Sequence, residues 1–146
     1  MKTPYFHIYH NDALYMGRWW LFNPQTADTP LKYKWIPLSI RLHHICQPDA
    51  GRDLHDHPFN CRTFILKGGY EEYRFDHYNA DGGMTCKVFD RKPGDTATIK
   101  VGEYHRISEI RDGGAWTVFV TGPRISNWGF LVKGQKILSR MYRGYK

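Results

Sequence analysis

"CRTFILKGGYEEYRFDHYNADGGMTCKVFDRKPGDTATI", from Cys61 to Ile99, decides the fold. Aromatic and β-branched residues come in short runs, and each run ends at a turn signal. Cys61 to Tyr78 reads as one long strand with a glycine bend at Gly68 and Gly69. "NADGG" (Asn79 to Gly83) is a hairpin turn by composition, and "MTCKVFDRK" (Met84 to Lys92) is its return strand. "KPGD" (Lys92 to Asp95) turns the chain into "TATIKV" (Thr96 to Val101). No segment holds a long apolar period of 3.6, so the reading is all-β.

The same punctuation continues on both sides. Upstream, "YFHIYH" (Tyr5 to His10), the aromatic run "LYMGRWWLF" (Leu14 to Phe22) and "IPLSIRLHHICQ" (Ile36 to Gln47) read as strands. "NPQTADTP" (Asn23 to Pro30) and "PDAGRD" (Pro48 to Asp53) separate them as loop and turn. "LHDH" (Leu54 to His57) starts another strand, which Pro58 interrupts. Downstream come "EYHRISEI" (Glu103 to Ile110), "AWTVFVTG" (Ala115 to Gly122) and "WGFLV" (Trp128 to Val132). Residues 133–146 read as a basic tail, either a short helix or an arm. About eight to ten strands with regular turns predict a sandwich or a jelly-roll barrel. The 146 residues carry no linker, so residues 1–146 read as one domain.

The formal net charge is +7, from 21 Lys plus Arg against 14 Asp plus Glu. That balance favours an anionic partner, unless it is simply a solvated basic surface. Cys46, Cys61 and Cys86 show no C-x-x-C spacing, the expectation for a reduced, cytoplasmic protein. No apolar run is long enough to span a bilayer, and no signal peptide is recognisable. "RWW", "KYKW" and "SRMYRGYK" interleave rings with cations, but no nucleic-acid motif accompanies them. Trp19, Trp20 and Trp35 are more simply residues of the core or of an interface between two copies.

Residues i and i+2 of a strand face the same way, so His55 and His57 can share one metal ion while Asp56 faces away. His105, after a turn and at the start of a strand, is the best third ligand. Imidazole suits Fe2+ and equally Zn2+, Ni2+ or Mn2+, and three imidazoles leave the far side of the ion open. Two surface histidines on a strand would give the same H-x-H pattern.

This set resembles the cupin superfamily. Its first motif carries a glycine, an H-x-H pair, a glutamate ligand and a second glycine; His55, His57 and Gly69 stand here in that order after Gly51, which is two residues closer to the pair than the motif asks. Counting back from Gly69 places Arg62 where the glutamate usually stands. The second motif is matched by Gly102 and His105, with Lys100 and Glu109 replacing its proline and asparagine. H-D-H is also locally similar to cysteine dioxygenase, a cupin that holds iron with three histidines. "LHDHP", "LKGGYEE", "KPGD", "FVTGP" and "WGF" together resemble a group of small phage-type cupin proteins. The resemblance implies a single-domain cupin-type jelly-roll β-barrel, a divalent transition metal with Fe2+ foremost, and a homodimer.

Arg62 cannot ligate a cation. Either it anchors an anionic substrate beside the metal, or its register differs and it points to solvent. Arg41 is a second anion clamp or, more simply, a solvated strand charge. His43 shares its parity and is placed with it as substrate-binding. Tyr70 and Tyr73 are candidate proton donors beside the glycine bend, or packing residues with a wet tip. Glu103, two before His105, is a further candidate carboxylate. Two functions compete: a metal-dependent enzyme, dioxygenase-like or an isomerase or hydrolase, acting on a small anionic molecule, and a non-catalytic cupin that sequesters an anion such as a nucleotide.

Overall fold

The computed structural model describes residues 5–10, 12–26, 28–49 and 53–142. Gly51 and residues 143–146, used in the motif and tail readings, lie outside them.

Eleven strands form among the described residues, with no α-helix. They are β1 (Tyr5–His10), β2 (Ala13–Phe22), β3 (Ser39–Ile45), β4 (Cys61–Lys67), β5 (Tyr70–Tyr78) and β6 (Met84–Arg91). Then follow β7 (Thr96–Ile99), β8 (His105–Ile110), β9 (Ala115–Thr121), β10 (Gly129–Val132) and β11 (Gln135–Leu138). One face is a six-stranded sheet in the order β1-β2-β3-β9-β4-β7. The other contains β6-β5-β8 and the β10-β11 hairpin. Every ladder among the described residues is antiparallel, and the two sheets enclose the core of a jelly roll.

The glycine bend is the junction between the sheets. β4 belongs to the large sheet and β5 to the small one, so the expected long strand is two strands across a corner. Gly68 sits at φ 73°, and a Cβ there would lie 2.0 Å from the Gly114 carbonyl oxygen. Both the left-handed backbone and the close approach require glycine. Gly68→Ala is expected to lower stability by more than about 2 kcal/mol in urea unfolding, since it adds backbone strain to a clash.

Leu54 to His57 is not a regular strand. Pairing stops at one bridged residue before Pro58, because proline has no N–H to continue a ladder. That residue, His55, is paired on both sides, with His105 and with Phe130. Its N–H donates to the His105 carbonyl and its carbonyl accepts from the His105 N–H, both at 2.9 Å. The extended alternation therefore survives, and this segment joins β8 to β10.

The tail reading is corrected. Residues 135–138 form β11, paired with β10 through a turn at Lys133 and Gly134. Tyr142 stacks on Phe130 at 3.7 Å. Asp56, 0% exposed, holds the hairpin in place. It accepts from the Gly129 N–H at 2.8 Å and pairs with Lys136 Nζ at 2.7 Å. One apolar cluster is built from Met16, Ile45, Ile65, Tyr70, Ile107 and Ala115, and a second from Phe59, Cys61, Ile99 and Phe119. No helix among the described residues is long and apolar enough to cross a membrane.

Candidate metal centre and its cavity

His55, His57 and His105 converge, with one ring nitrogen of each within 4.8 Å of the others. The alternation along Leu54 to His57 aims the first two rings inward, and the double backbone bridge to His105 sets the third beside them. His57 Nε2 and His105 Nε2 are 2.9 Å apart. Two nitrogens bound to one ion at a right angle, with bonds of about 2.1 Å, stand about 3 Å apart. Burial pushes the His57 imidazole well below its ordinary pKa, and the nearby His105 and His55 add to the effect. A neutral ring keeps the lone pair that a metal needs. The His57 ring lies nearly parallel to Phe59, 5.8 Å away at 15°, so its orientation is fixed.

Glu72 is the residue that sequence reasoning missed. It is 1% exposed and accepts from His105 Nδ1 at 2.7 Å, leaving His105 Nε2 to face the other two rings. Such a carboxylate–histidine pair fixes ring orientation and raises ligand basicity. Its other oxygen takes Arg74 Nε at 3.2 Å and Arg91 Nη2 at 2.8 Å. Burial pushes the carboxyl up, but His105, Arg74 and Arg91 outweigh it and bring the pKa down to about 2. The signal available in the sequence was parity, since Glu72 shares a strand face with Tyr70.

The donor set fits a divalent metal: three imidazole nitrogens, one of them on a ring oriented by a carboxylate. The trio opens onto a cavity of about 550 Å³ between the sheets.

The other candidate residues divide by strand parity. Arg62 does not reach the cavity. On β4, Cys61, Thr63 and Ile65 face inward, while Arg62 is exposed and donates to Thr96 Oγ1 at 3.3 Å. Counting from Gly68 instead puts Cys61 at the glutamate position, but burial pushes its thiol up to about 12 and its Sγ faces the Ile99 carbonyl. Arg62→Met is therefore expected to leave metal content and anion affinity unchanged in elemental analysis and calorimetry. Tyr73 also faces away from the cavity, with the Arg106 guanidinium 5.3 Å from its ring. Tyr70, three residues earlier, lines the cavity, and burial raises its phenol so that it keeps its proton. Glu103 is outside the site, at 3.6 Å from Arg74 with its side chain 45% exposed.

Arg41 reverses the simpler expectation. It is buried at 5% exposure and lines the cavity. Its guanidinium lies 4.2 Å over the Trp20 ring and 5.1 Å from Phe59, the same ring that His57 stacks on. Burial, and then the neighbouring Arg18, push its pKa down to about 9, so it remains a cation at neutral pH. His43 lines the same cavity, 5.0 Å from Phe119. Trp20 is core, whereas Trp35 is 79% exposed.

No family model matches the chain, and a search of curated proteins finds no match. Solved structures do resemble it in fold. A cupin-2 domain protein of Rhodospirillum rubrum aligns with 97% of this chain and 80% of its own, at 14% identity and a TM-score of 0.57. Oxalate oxidase in complex with glycolate aligns over 80% of this chain at 16% identity and a TM-score of 0.55. Fe(II)-HppE with an alternative substrate aligns over 83% at 10% identity and a TM-score of 0.53. The chain spans only 55% and 56% of those last two proteins. The fold is the cupin jelly roll.

Proposed function

We propose that this protein is a metal-dependent cupin enzyme acting on a small anionic molecule, of the three-histidine non-haem iron oxygenase type. The observation that carries the reading is that the histidine trio and the buried Arg41 open onto one cavity. Bound to His55, His57 and His105, a divalent metal, Fe2+ foremost, would supply Lewis-acid and redox chemistry at the open side of the trio.

The chain supplies the rest. Arg41 draws the negative end of the substrate into a space walled by Trp20, Phe59 and Phe119. Those rings exclude water, which strengthens the attraction between guanidinium and anion. Phe59 touches both Arg41 and His57, so a bound anion is held next to the trio. Tyr70 keeps its proton and is a donor for an oxygen of the substrate. The Fe(II) structure and the glycolate complex support iron and a small acid respectively.

Protein purified without added metal is expected to contain about one transition-metal ion per chain by elemental analysis. Oxygen uptake with a panel of small carboxylates and phosphate esters then tests turnover. Metal and anion binding with no conversion of any substrate would make the protein a sequestering module instead. Absence of metal binding would sink the enzyme reading.

A further inference from the structure

We infer that β2 and β3 build a dianion subsite in the cavity, fitted to the phosphoryl or phosphonyl head of a small molecule. This rests on the anionic-substrate reading above and names the head group. Across the two strands Arg18 pairs with His43, and Trp20 pairs with Arg41. All four side chains line the cavity, so they form a two-by-two grid on one sheet face. Arg18 and Arg41 occupy its diagonal, with Cβ atoms about 7 Å apart in such a register. Two long side chains on that diagonal can meet on one head group.

Three nitrogens of this grid are buried without a hydrogen-bond partner: Arg18 Nε, Arg41 Nε and His43 Nε2. Buried polar groups are almost always satisfied, so three orphans in one cavity mark a missing ligand. No carboxylate among the described residues takes its place. Among the described residues the one carboxylate lining the cavity is Asp49, which already accepts from the Tyr15 hydroxyl and from the Ile107 N–H. Burial, with Arg18 and Arg41 beside it, keeps His43 neutral, so it adds a hydrogen bond and no charge. Two guanidiniums ask for two negative charges. A phosphoryl group carries both, with three oxygens, in one head; a carboxylate carries one charge on two oxygens. Arg124 lines this cavity and a neighbouring one of about 430 Å³, adding a third cation where the two meet.

Calorimetric titration of chelator-treated protein with inorganic phosphate at pH 8 tests the subsite, with acetate and succinate as rivals. Phosphate is expected to bind at least about tenfold more tightly than either. Arg18→Met and Arg41→Met should each weaken it about tenfold or more, Arg18→Lys and Arg41→Lys less, and Arg62→Met not at all. Arg41→Met should also raise Tm, because methionine fills the space without leaving a cation unpaired. A structural arginine would lower it. Equal affinity for acetate, tighter binding of succinate, a loss in Arg62→Met equal to that in Arg41→Met, or a lower Tm in Arg41→Met overturns the proposal. Phosphate binding by a chain that takes up no metal keeps the subsite and removes the enzyme reading. A metal-loaded chain that ignores phosphate does the reverse.

Discussion

His57→Ala is expected to lower metal affinity by more than about a hundredfold while leaving the fold intact. Its Nε2 is 2.9 Å from His105 Nε2, so the ring supplies one of two adjacent ligand positions. Two imidazoles remain in the variant, too few to hold a divalent ion against water. The backbone bridge that anchors this segment runs through His55 and His105 and is untouched. The lost ring packs on Phe59 and Phe119, and its removal costs part of that contact, about 1–2 kcal/mol. Elemental analysis after dialysis, beside a thermal melt, separates the two effects. Parent-like metal content in His57→Ala would remove the trio from the metal site. His105→Ala should lose metal equally, but it also strips Glu72 of one partner.

Glu72→Gln has the largest expected effect on stability, about 3 kcal/mol, or a fall in Tm of roughly 10 °C. The glutamine has nearly the same shape, so the loss is one of charge. Arg74 and Arg91, with side chains 19% and 13% exposed, lose their shared anion. Breaking a buried pair from one side leaves the other side desolvated and unpaired. Metal affinity should fall as well, by about ten- to a hundredfold, because His105 loses the carboxylate that fixes its ring. The pH dependence carries a sign. Glu72 is held below its ordinary value of 4.5, at about 2, so its stabilisation is complete above 4.5 and lost as pH falls toward 2. Parent and Glu72→Gln melts should therefore converge across that window. A constant gap would mean that the ionised form is not what stabilises the fold.

The strands were largely legible because turn chemistry is local. Glycine, proline and asparagine clusters marked the ends of the strands from Cys61 to Ile99, and H-x-H on an extended chain announced a shared ligand face. β11 was not legible: "QKIL" is four residues long, carries a lysine and has only one strong β-former, Ile137. Its place depends on pairing with β10 and on the buried Asp56, whose partners are 73 and 80 residues away in the chain. Tyr70 and Tyr73, three apart on one strand, could not both face the site, and parity alone separates them.

Parity is what the sequence determined by itself. It tied His55 to His57 and Arg41 to His43, and set Arg62 against Cys61 and Thr63, because successive side chains of an extended chain alternate. Which of the two faces turns inward was decided only by the tertiary structure. β3 buries Ser39, Arg41 and His43 and leaves Ile40 and Leu42 half-buried on the outside, the reverse of a hydropathy reading. β4 turns Arg62 to solvent. The large sheet makes that choice as a whole, since its ladders lock Arg41 beside Trp20 and Phe119 and Arg62 beside Val120 and Thr98. A strand cannot flip alone without moving every neighbour's side chains to the other face. The proposed anion anchor, Arg41, therefore lies on a strand whose own sequence argued for solvent.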